Sequence, residues 1–280
     1  MTDQYAVIGN PIAHSKSPLI HRMFAEQTGQ DISYKAILAP LDGFAATIER
    51  LRAEGYKGCN VTVPFKFEAL KLATRIDPHA EIAQAVNTLK FDNGEIMGYN
   101  TDGRGLVADI QFNLKIDLKN KNILLAGAGG AASGVIHSLA TMGARVTIAN
   151  RNVEKAQILV NRFSHLFAPN NNAEKKSPTR NNALSYADLA GQQFDIVINA
   201  TSASLTDSTI PLPATIFAPG ALAYDMMYGR DTPFMKFART HGAAVVADGL
   251  GMLVEQAAEA FYLWRGVRPD TAAVLKKLRA

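Results

Sequence analysis

The sequence predicts an α/β protein, an N-terminal α/β domain followed by a doubly wound parallel sheet, and three observations carry that reading. Residues 123–126 form a short apolar run with no polar face, which suits a strand buried on both sides. A turn of small residues, Gly127-Ala128-Gly129-Gly130-Ala131-Ala132, follows at once and opens a helical stretch that ends near Thr141. Further apolar runs at 194–200, 222–227 and 244–247, around a helix over 233–240, give the alternation of a parallel sheet. The 280 residues leave room for two domains, and 48% hydrophobic with 19% charged residues is the composition of a chain with full cores.

The small residues of the turn have separate duties. Gly127 allows the tight backbone geometry, Gly129 has no side chain to hold a pyrophosphate off the backbone, and Ala132 lets the next helix pack close to the strand. The helix then aims its free N–H groups and positive dipole end at the phosphates. This is a Rossmann-type arrangement, and the residues after its second strand, 144–149, are where such folds read the ribose. Here they are Asn150, Arg151 and Asn152, with Lys155 one turn on. An acid there would bond a 2′-hydroxyl and repel a 2′-phosphate, whereas the Arg151 guanidinium can clamp the phosphate, so NADP is expected over NAD. A solvated surface arginine is the plainer reading, and its offset from the glycines argues against it.

Composition excludes several classes. The single cysteine, Cys59, rules out an internal disulfide and a multi-cysteine metal site. The six histidines show no ligand spacing, and His14 reads as a loop-organising residue, so no metal is expected. No apolar run reaches the length of a membrane span, no basic and apolar leader precedes the first strand, and a cytoplasmic protein is expected. A net charge of +4, not gathered into a block, agrees with small anionic ligands and argues against nucleic acid.

Along the chain, 5–8 reads as a first buried strand closed by Gly9. Asn10-Pro11 opens a hydroxyl-rich loop, His14-Ser15-Lys16-Ser17-Pro18, in which Ser17 before a proline suits the N-cap of a helix over 18–28. A strand over 32–38 and a helix over 43–53 follow, the latter stopped by Gly55. The next strand, 58–63, runs through Asn60-Val61-Thr62-Val63-Pro64-Phe65-Lys66 and puts a lysine in the first turn of a helix that reaches about Ala73. A cation is disfavoured there, and a residue that breaks a local rule is a candidate for function, against the ordinary reading of an exposed lysine. After a less regular segment, 85–90 and 95–99 flank Asp92-Asn93-Gly94, a strong hairpin signal. Asn100-Thr101-Asp102-Gly103 then opens a helix to about Asn113, and Asp102 taken alone reads as its N-cap.

A charged connector, 117–121, leads into the dinucleotide domain. Its helix over 153–166 runs into a polar stretch, 169–178, that reads as a surface excursion without a role. The strand over 194–200 ends where a doubly wound sheet holds its ligand, so Asn199, Ala200 and Thr201 are expected to border the cofactor. Met226 and Met227 read as core filler. Asp248-Gly249-Leu250-Gly251 turns into a helix carrying Met252, Leu253, Val254 and Gln256, and a last helix covers 271–278. These helices are expected to return to the first domain, with the active cleft between the two halves. The expected division is 1–104 with 252–280 for substrate binding and catalysis, and 105–251 for the dinucleotide.

Six segments taken together resemble the shikimate dehydrogenase family: 10–18, 60–66, Ala85-Val86-Asn87-Thr88, 100–103, 127–132 and 249–256. They lie in register across both expected domains. The resemblance implies reversible reduction of 3-dehydroshikimate to shikimate with NADPH, on the route to chorismate and the aromatic amino acids. It implies Lys66 and Asp102 as the catalytic pair. Ser15, Ser17 and Tyr228 match carboxylate-binding groups, Thr62, Asn87, Asp102 and Gln256 match positions that hold ring hydroxyls, and Asn60 supports the site from behind. On the cofactor side, Gly127, Ala128, Gly129, Gly130 and Ala131 match the pyrophosphate turn and Asn150, Arg151, Asn152 and Lys155 the phosphate loop of the adenosine. Met226 and Gly249 match residues at the nicotinamide end, beside Thr201. The family usually has threonine where Asn152 stands, and the stretch near 170–182 is longer than its norm.

The chemistry agrees with these roles. Moving a hydride leaves an alkoxide-like oxygen that needs a proton partner, which a positioned lysine supplies, and an ammonium stabilises the developing charge. Two alternatives stay open on the sequence: a quinate/shikimate dehydrogenase using NAD, and a metabolite sensor of the same fold without turnover, against which the presence of both Lys66 and Asp102 argues. A monomer or a homodimer fits equally.

Overall fold

The computed structural model describes residues 2–164, 182–203 and 207–280. The polar stretch over 169–178, read as a surface excursion, lies outside them, as does the long stretch near 170–182 save Asn182. The chain divides into two compact units, Met1–Asp109 with Gly251–Ala280, and Ile110–Leu250. The first crossing comes later than Arg104 because the helix begun at Asp102 continues to Ala108 and then widens into a π-helical turn, Asp109–Asn113.

In the first unit β1 (Asp3–Gly9) is followed by α1 (Ser17–Thr28), β2 (Ile32–Leu38), α2 (Phe44–Ala53), β3 (Gly58–Val61) and α3 (Lys66–Leu72). Then come β4 (Arg75–Ile76), α4 (Pro78–Ala83), β5 (Thr88–Asp92), β6 (Glu95–Tyr99) and α5 (Asp102–Ala108). The six-stranded sheet has the order β2-β1-β3-β5-β6-β4. β1 pairs in parallel with β2 and β3, and β5 runs antiparallel to both β3 and β6. The reversal is made by the hairpin at Asn93-Gly94, whose φ values of 48° and 83° are those that an Asn-Gly turn supplies. β4 and α4 occupy the segment without a clear period. β4 is two exposed residues and α4 is short, set by Pro78 and by Asp77, whose carboxylate accepts from the N–H groups of His79 and Ala80.

Two capping expectations are corrected. The N-cap of α1 is Lys16, so Ser17 is inside the helix and buried, and Pro18 occupies its first turn. The N-cap of α5 is Thr101, without a side-chain capping bond, and the Asp102 carboxylate turns away to other partners.

The second unit holds β7 (Asn122–Ala126), α6 (Gly130–Thr141), β8 (Arg145–Ala149), α7 (Val153–Phe163), β9 (Ala183–Leu184), β10 (Phe194–Asn199), β11 (Phe217–Asp225), α8 (Pro233–Thr240) and β12 (Val245–Ala247). All pairings are parallel and the order is β12-β11-β10-β7-β8-β9. The order reverses between β7 and β10, which is the switch point at which open parallel sheets bind ligands. Ile123, Leu124, Leu125 and Ala126 of β7 are fully buried, as an all-apolar strand requires.

The last helices, α9 (Leu250–Arg265) and α10 (Thr271–Arg279), pack in the first unit from Gly251 onward. Val254, Ala257 and Phe261 of α9 meet Ile20 and Phe24 of α1 and Val274 of α10 on one side of the sheet. Phe44, Ile48 and Leu51 of α2 with Phe65 and Ala69 cover another cluster around Ala6, Ile8 and Leu89. Each such fully buried large side chain contributes about 1.5–3 kcal/mol. Trp264 fastens α9 to the sheet by donating from Nε1 to the Leu89 carbonyl at 3.0 Å and stacking on Tyr5 at 4.6 Å.

Gly105 lets α5 lie directly on α9. A Cβ there would meet Gln256 Cβ and N at 2.7 Å and the Met252 carbonyl oxygen at 2.9 Å, atoms that cannot swing aside. Gly105→Ala is therefore expected to destabilise the protein by about 1–3 kcal/mol, read as a lowered denaturation midpoint. An unchanged midpoint would show that the two helices can separate without cost.

Candidate active site

The site begins where β3 stops. The Thr62 N–H bonds to the Ile8 carbonyl and the Phe65 N–H to the Thr62 carbonyl, which turns the chain so that Lys66 is the first residue of α3. The Lys66 carbonyl accepts from the Val86 N–H at 3.0 Å, tying the start of α3 to the segment that enters β5. Lys66 Nζ then donates to Asp102 Oδ2 at 2.5 Å, with the two side chains only 16% and 7% exposed. A cation at a helix start, unfavourable by itself, is thus matched by a carboxylate.

Asp102 is held from the other side as well. Asn87 Nδ2 donates to its Oδ1 at 2.8 Å, and its own N–H bonds to Asn100 Oδ1 at 3.0 Å. Asn87 Oδ1 in turn accepts from the Thr101 N–H and from the Thr88 hydroxyl, both at 2.9 Å. Gln256, on α9, donates from Nε2 to the Leu253 carbonyl and brings Oε1 within 3.4 Å of Thr101 Oγ1 and 3.5 Å of Asn87 Nδ2. Lys66, Asn87, Asp102 and Gln256 therefore form one cluster. Asn60 lies behind it, its Nδ2 donating to Thr88 Oγ1 at 3.0 Å.

Ser15 and Ser17 come together through the Ser17 N–H, which donates to Ser15 Oγ at 3.3 Å. As an acceptor in that bond, the Ser15 hydroxyl keeps its hydrogen for a ligand. Thr62 is half-buried, and its hydroxyl makes no hydrogen bond among the described residues. Tyr228 belongs to the second unit, on the turn after β11, as do all the expected cofactor residues.

That second unit is shaped for a dinucleotide. Gly127 has φ 112°, and a Cβ on it would crowd the Ala200 carbonyl oxygen at 3.0 Å. Gly129, the N-cap of α6, has no side-chain cap, and a Cβ there would meet nothing within 4 Å, so the helix N-terminus with Gly130 and Ala131 opens on clear space next to Ala128. This fits a pyrophosphate. After β8, Arg151 and Lys155 are exposed. Asn152 caps α7, its Oδ1 accepting from the Lys155 N–H at 3.1 Å, which leaves its Nδ2 to donate. Beyond β10, Thr201 donates through both N–H and hydroxyl to Asn199 Oδ1, and Asn199 Nδ2 bonds to buried Asp225. Asp225 also receives the Met227 N–H at 3.0 Å and the Thr232 hydroxyl at 2.6 Å, fixing the turn of Met226 and Tyr228. Gly249 closes on that turn: its N–H bonds to the Met227 carbonyl, and a Cβ would lie 2.3 Å from the Met226 carbonyl oxygen. Met226 and Met227 are only half-buried, so they are not core filler. No group of three or more metal-binding side chains occurs among the described residues, and no described helix is long and apolar enough to cross a membrane.

Behind the first cluster stands His21, fully buried and stacked on Tyr34 at 4.1 Å. The Asn60 amide is already committed to Tyr34 and Thr88, so neither His21 ring nitrogen has a hydrogen-bond partner. Burial pushes the imidazole pKa down to about 3, the opposing pull of nearby Asn60 being smaller.

The comparisons agree with this geometry. Residues 7–89 match the shikimate dehydrogenase substrate binding domain, 107–207 the shikimate / quinate 5-dehydrogenase family, and 249–279 the shikimate 5′-dehydrogenase C-terminal domain. The shikimate dehydrogenase (NADP(+)) of Methylobacillus flagellatus is 56% identical over 279 residues, covering 99% of both chains. That of Dechloromonas aromatica is 57% identical over all of this chain and 98% of its own. The chain belongs to the shikimate dehydrogenase family. Among solved structures of similar proteins, an Ael1 enzyme from Pseudomonas putida is 48% identical with a TM-score of 0.89, covering 99% of this chain and 98% of that one. The shikimate 5-dehydrogenase of Thermus thermophilus, solved with NADP(H) and shikimate, is 31% identical with a TM-score of 0.85, covering 99% of each.

Sequence reading gives no role to Thr88 and Thr101, although both stand inside the motifs named above, and none to Tyr34 and Asp225. Thr88 and Thr101 each adjoin a motif residue, which was the available signal; Tyr34 and Asp225 sit within apolar strands and gave none.

The buried His21 sets an acid limit on stability. Below its ordinary value of 6.5 the unfolded chain takes up a proton that the folded chain refuses, down to about pH 3. Stability is therefore fully present above that window and falls by up to about 1.4 kcal/mol per pH unit as the pH drops through it. His21→Phe, which keeps the stack, is expected to flatten this slope in denaturant unfolding at pH 7 and pH 4.5; equal slopes would remove His21 from the account.

Proposed function

We propose that Lys66 and Asp102 carry the proton transfer in the reversible, NADP-dependent conversion of shikimate and 3-dehydroshikimate. The reaction is that of the family, in which relatives of 56% and 57% identity over essentially the whole chain are NADP(+)-dependent shikimate dehydrogenases. The observation that supports the pair is the nearly buried contact of Lys66 Nζ with Asp102 Oδ2 at 2.5 Å, at a helix start that disfavours a lone cation.

Ser15 and Ser17 are the groups to receive the substrate carboxylate, through hydroxyl donors, and Tyr228 is the third group that the family assigns to it. Thr62, Asn87, Asp102, Gln256 and Lys66 offer the mixed donors and acceptors that ring hydroxyls require. The open helix start at 127–131 takes the pyrophosphate, Arg151 with Asn150, Asn152 and Lys155 takes the 2′-phosphate, and Thr201, Met226 and Gly249 border the nicotinamide end. NADP, when bound, accepts or returns the hydride. Lys66, as the amine, takes the hydroxyl proton as the carbinol becomes a carbonyl, and as the ammonium gives it back in reduction while its charge stabilises the oxygen. Asp102 holds the side chain in line and balances the positive charge of Lys66 when it is protonated.

Lys66→Ala is expected to lower kcat about a hundredfold or more with little change in the KM for shikimate, followed through the absorbance of reduced nicotinamide. Near-normal turnover would take Lys66 out of the mechanism. Arg151→Ala is expected to cost about tenfold or more in kcat/KM with NADP, the loss of a charge-assisted contact, while the slow reaction with NAD stays as it was. Quinate assayed in parallel reports the breadth of the substrate pocket; efficiency equal to shikimate would assign the chain to the quinate-accepting members of the family.

A further inference from the structure

The Lys66–Asp102 pair is the end of a longer chain of hydrogen bonds. Tyr34 OH donates to Asn60 Oδ1 at 2.7 Å, Asn60 Nδ2 to Thr88 Oγ1 at 3.0 Å, and the Thr88 hydroxyl to Asn87 Oδ1 at 2.9 Å. Asn87 Nδ2 donates to Asp102 Oδ1 at 2.8 Å, and Lys66 donates to the other carboxylate oxygen. From Tyr34 to Asp102 every link donates in the same direction, and Lys66 donates to the carboxylate from the other end. Tyr34 is the donor at the far end, its hydroxyl meeting an Asn60 amide oxygen that can only accept. Thr88 is fully buried, so no water competes for its single hydrogen.

The polarity matters at Asn87. A side-chain amide can be turned by half a rotation at no steric cost, and only its partners decide which end faces Asp102. Thr101 N–H and the Thr88 hydroxyl both point hydrogens at one side of the amide, which fixes the oxygen there and the NH2 toward the carboxylate. Thr88 points its hydrogen that way because its partner on the other side, Asn60 Nδ2, can only donate, while Tyr34 holds the oxygen of that same amide.

We propose that Thr88, backed by Tyr34 through Asn60, is a positioning residue for the dehydrogenase reaction: it locks the Asn87 amide so that Asp102 is held in register for Lys66. This rests on Lys66 and Asp102 being the proton-transfer pair. Without the Thr88 hydroxyl the amide oxygen keeps only Thr101 as a donor, through its N–H at 2.9 Å and its hydroxyl at 3.3 Å, and the carboxylate gains freedom to rotate off the ammonium. Small misplacements of this kind are felt in turnover.

The test uses Thr88→Val, which keeps the branched shape, Thr88→Ser, which keeps the hydroxyl, and Tyr34→Phe. Thr88→Val is expected to lower kcat about tenfold or more, with the dissociation constant for NADP unchanged. Deuterium at the oxidised carbon of shikimate should give a larger isotope effect on kcat than in the parent enzyme, because the chemical step has slowed. Thr88→Ser is expected to restore both, and Tyr34→Phe, two bonds further from Asn87, to lower kcat about threefold. Should Thr88→Val fail to fold, the contrast between Thr88→Ser and Tyr34→Phe decides. Parent-like turnover and isotope effect in Thr88→Val, or in Tyr34→Phe if that variant must stand alone, overturn the relay. Lys66→Ala measured alongside separates the two claims: if it is inactive while the relay variants are normal, only the relay falls, and if it is active the pair falls and the relay with it.

Discussion

The arrangement of the first unit depends on one carboxylate. Asp102 accepts from Lys66 on one oxygen and from Asn87 on the other, and is only 5% exposed. Leaving either a charged lysine or a charged aspartate alone in such a place costs several kcal/mol, because desolvation is then uncompensated. The two therefore constrain each other, and through them α3 and α5, which begin at Lys66 and Asp102, are held start to start. Helix starts are where backbone N–H groups lack partners. Placing two of them at the cluster concentrates backbone donors there.

The sheet makes this possible by changing direction. β1, β2 and β3 are parallel, and a further parallel strand would have carried its carboxyl end to the same edge. The hairpin instead returns β6 against β5, so that the entry to β5 and the exit from β6 fall side by side. Thr88 pairs with both Asn60 and Tyr99. Asn87 precedes the first of these strands and Asn100 to Asp102 follow the second, which is why residues far apart in sequence share hydrogen bonds. The Asn-Gly turn at the distant end of the hairpin thus sets the register of the polar cluster.

Much of this was legible beforehand, and the failures have a pattern. The dinucleotide half could be read from β7, its glycines and the length to β8, because an all-apolar strand beside a small-residue turn admits few other readings. Lys66 stood out by opposing the helix dipole. Ser17 and Asp102 were misjudged from local sequence, since the residue types that cap helices are also those that bind ligands, and only tertiary partners separate the uses. Tyr34, His21 and Asp225 were invisible for a related reason. Each lies in a stretch whose pattern is that of a core strand or helix, and its significance comes from a neighbour distant in sequence: Asn60 for Tyr34, Tyr34 for His21, Asn199 for Asp225.

The two units solve the same problem with different materials. In the second, buried Asp225 collects Asn199, Thr232 and the Met227 N–H, so a charged acceptor draws in neutral donors and freezes a loop. In the first, the carboxylate is given a lysine as well as an amide. A carboxylate that shares its donors with an amine feels any change in that amine's charge directly. Asp102 and Asp225 are both buried, so burial does not set their roles; on the proposed reading it is the amine beside Asp102 that lets the first unit move a proton.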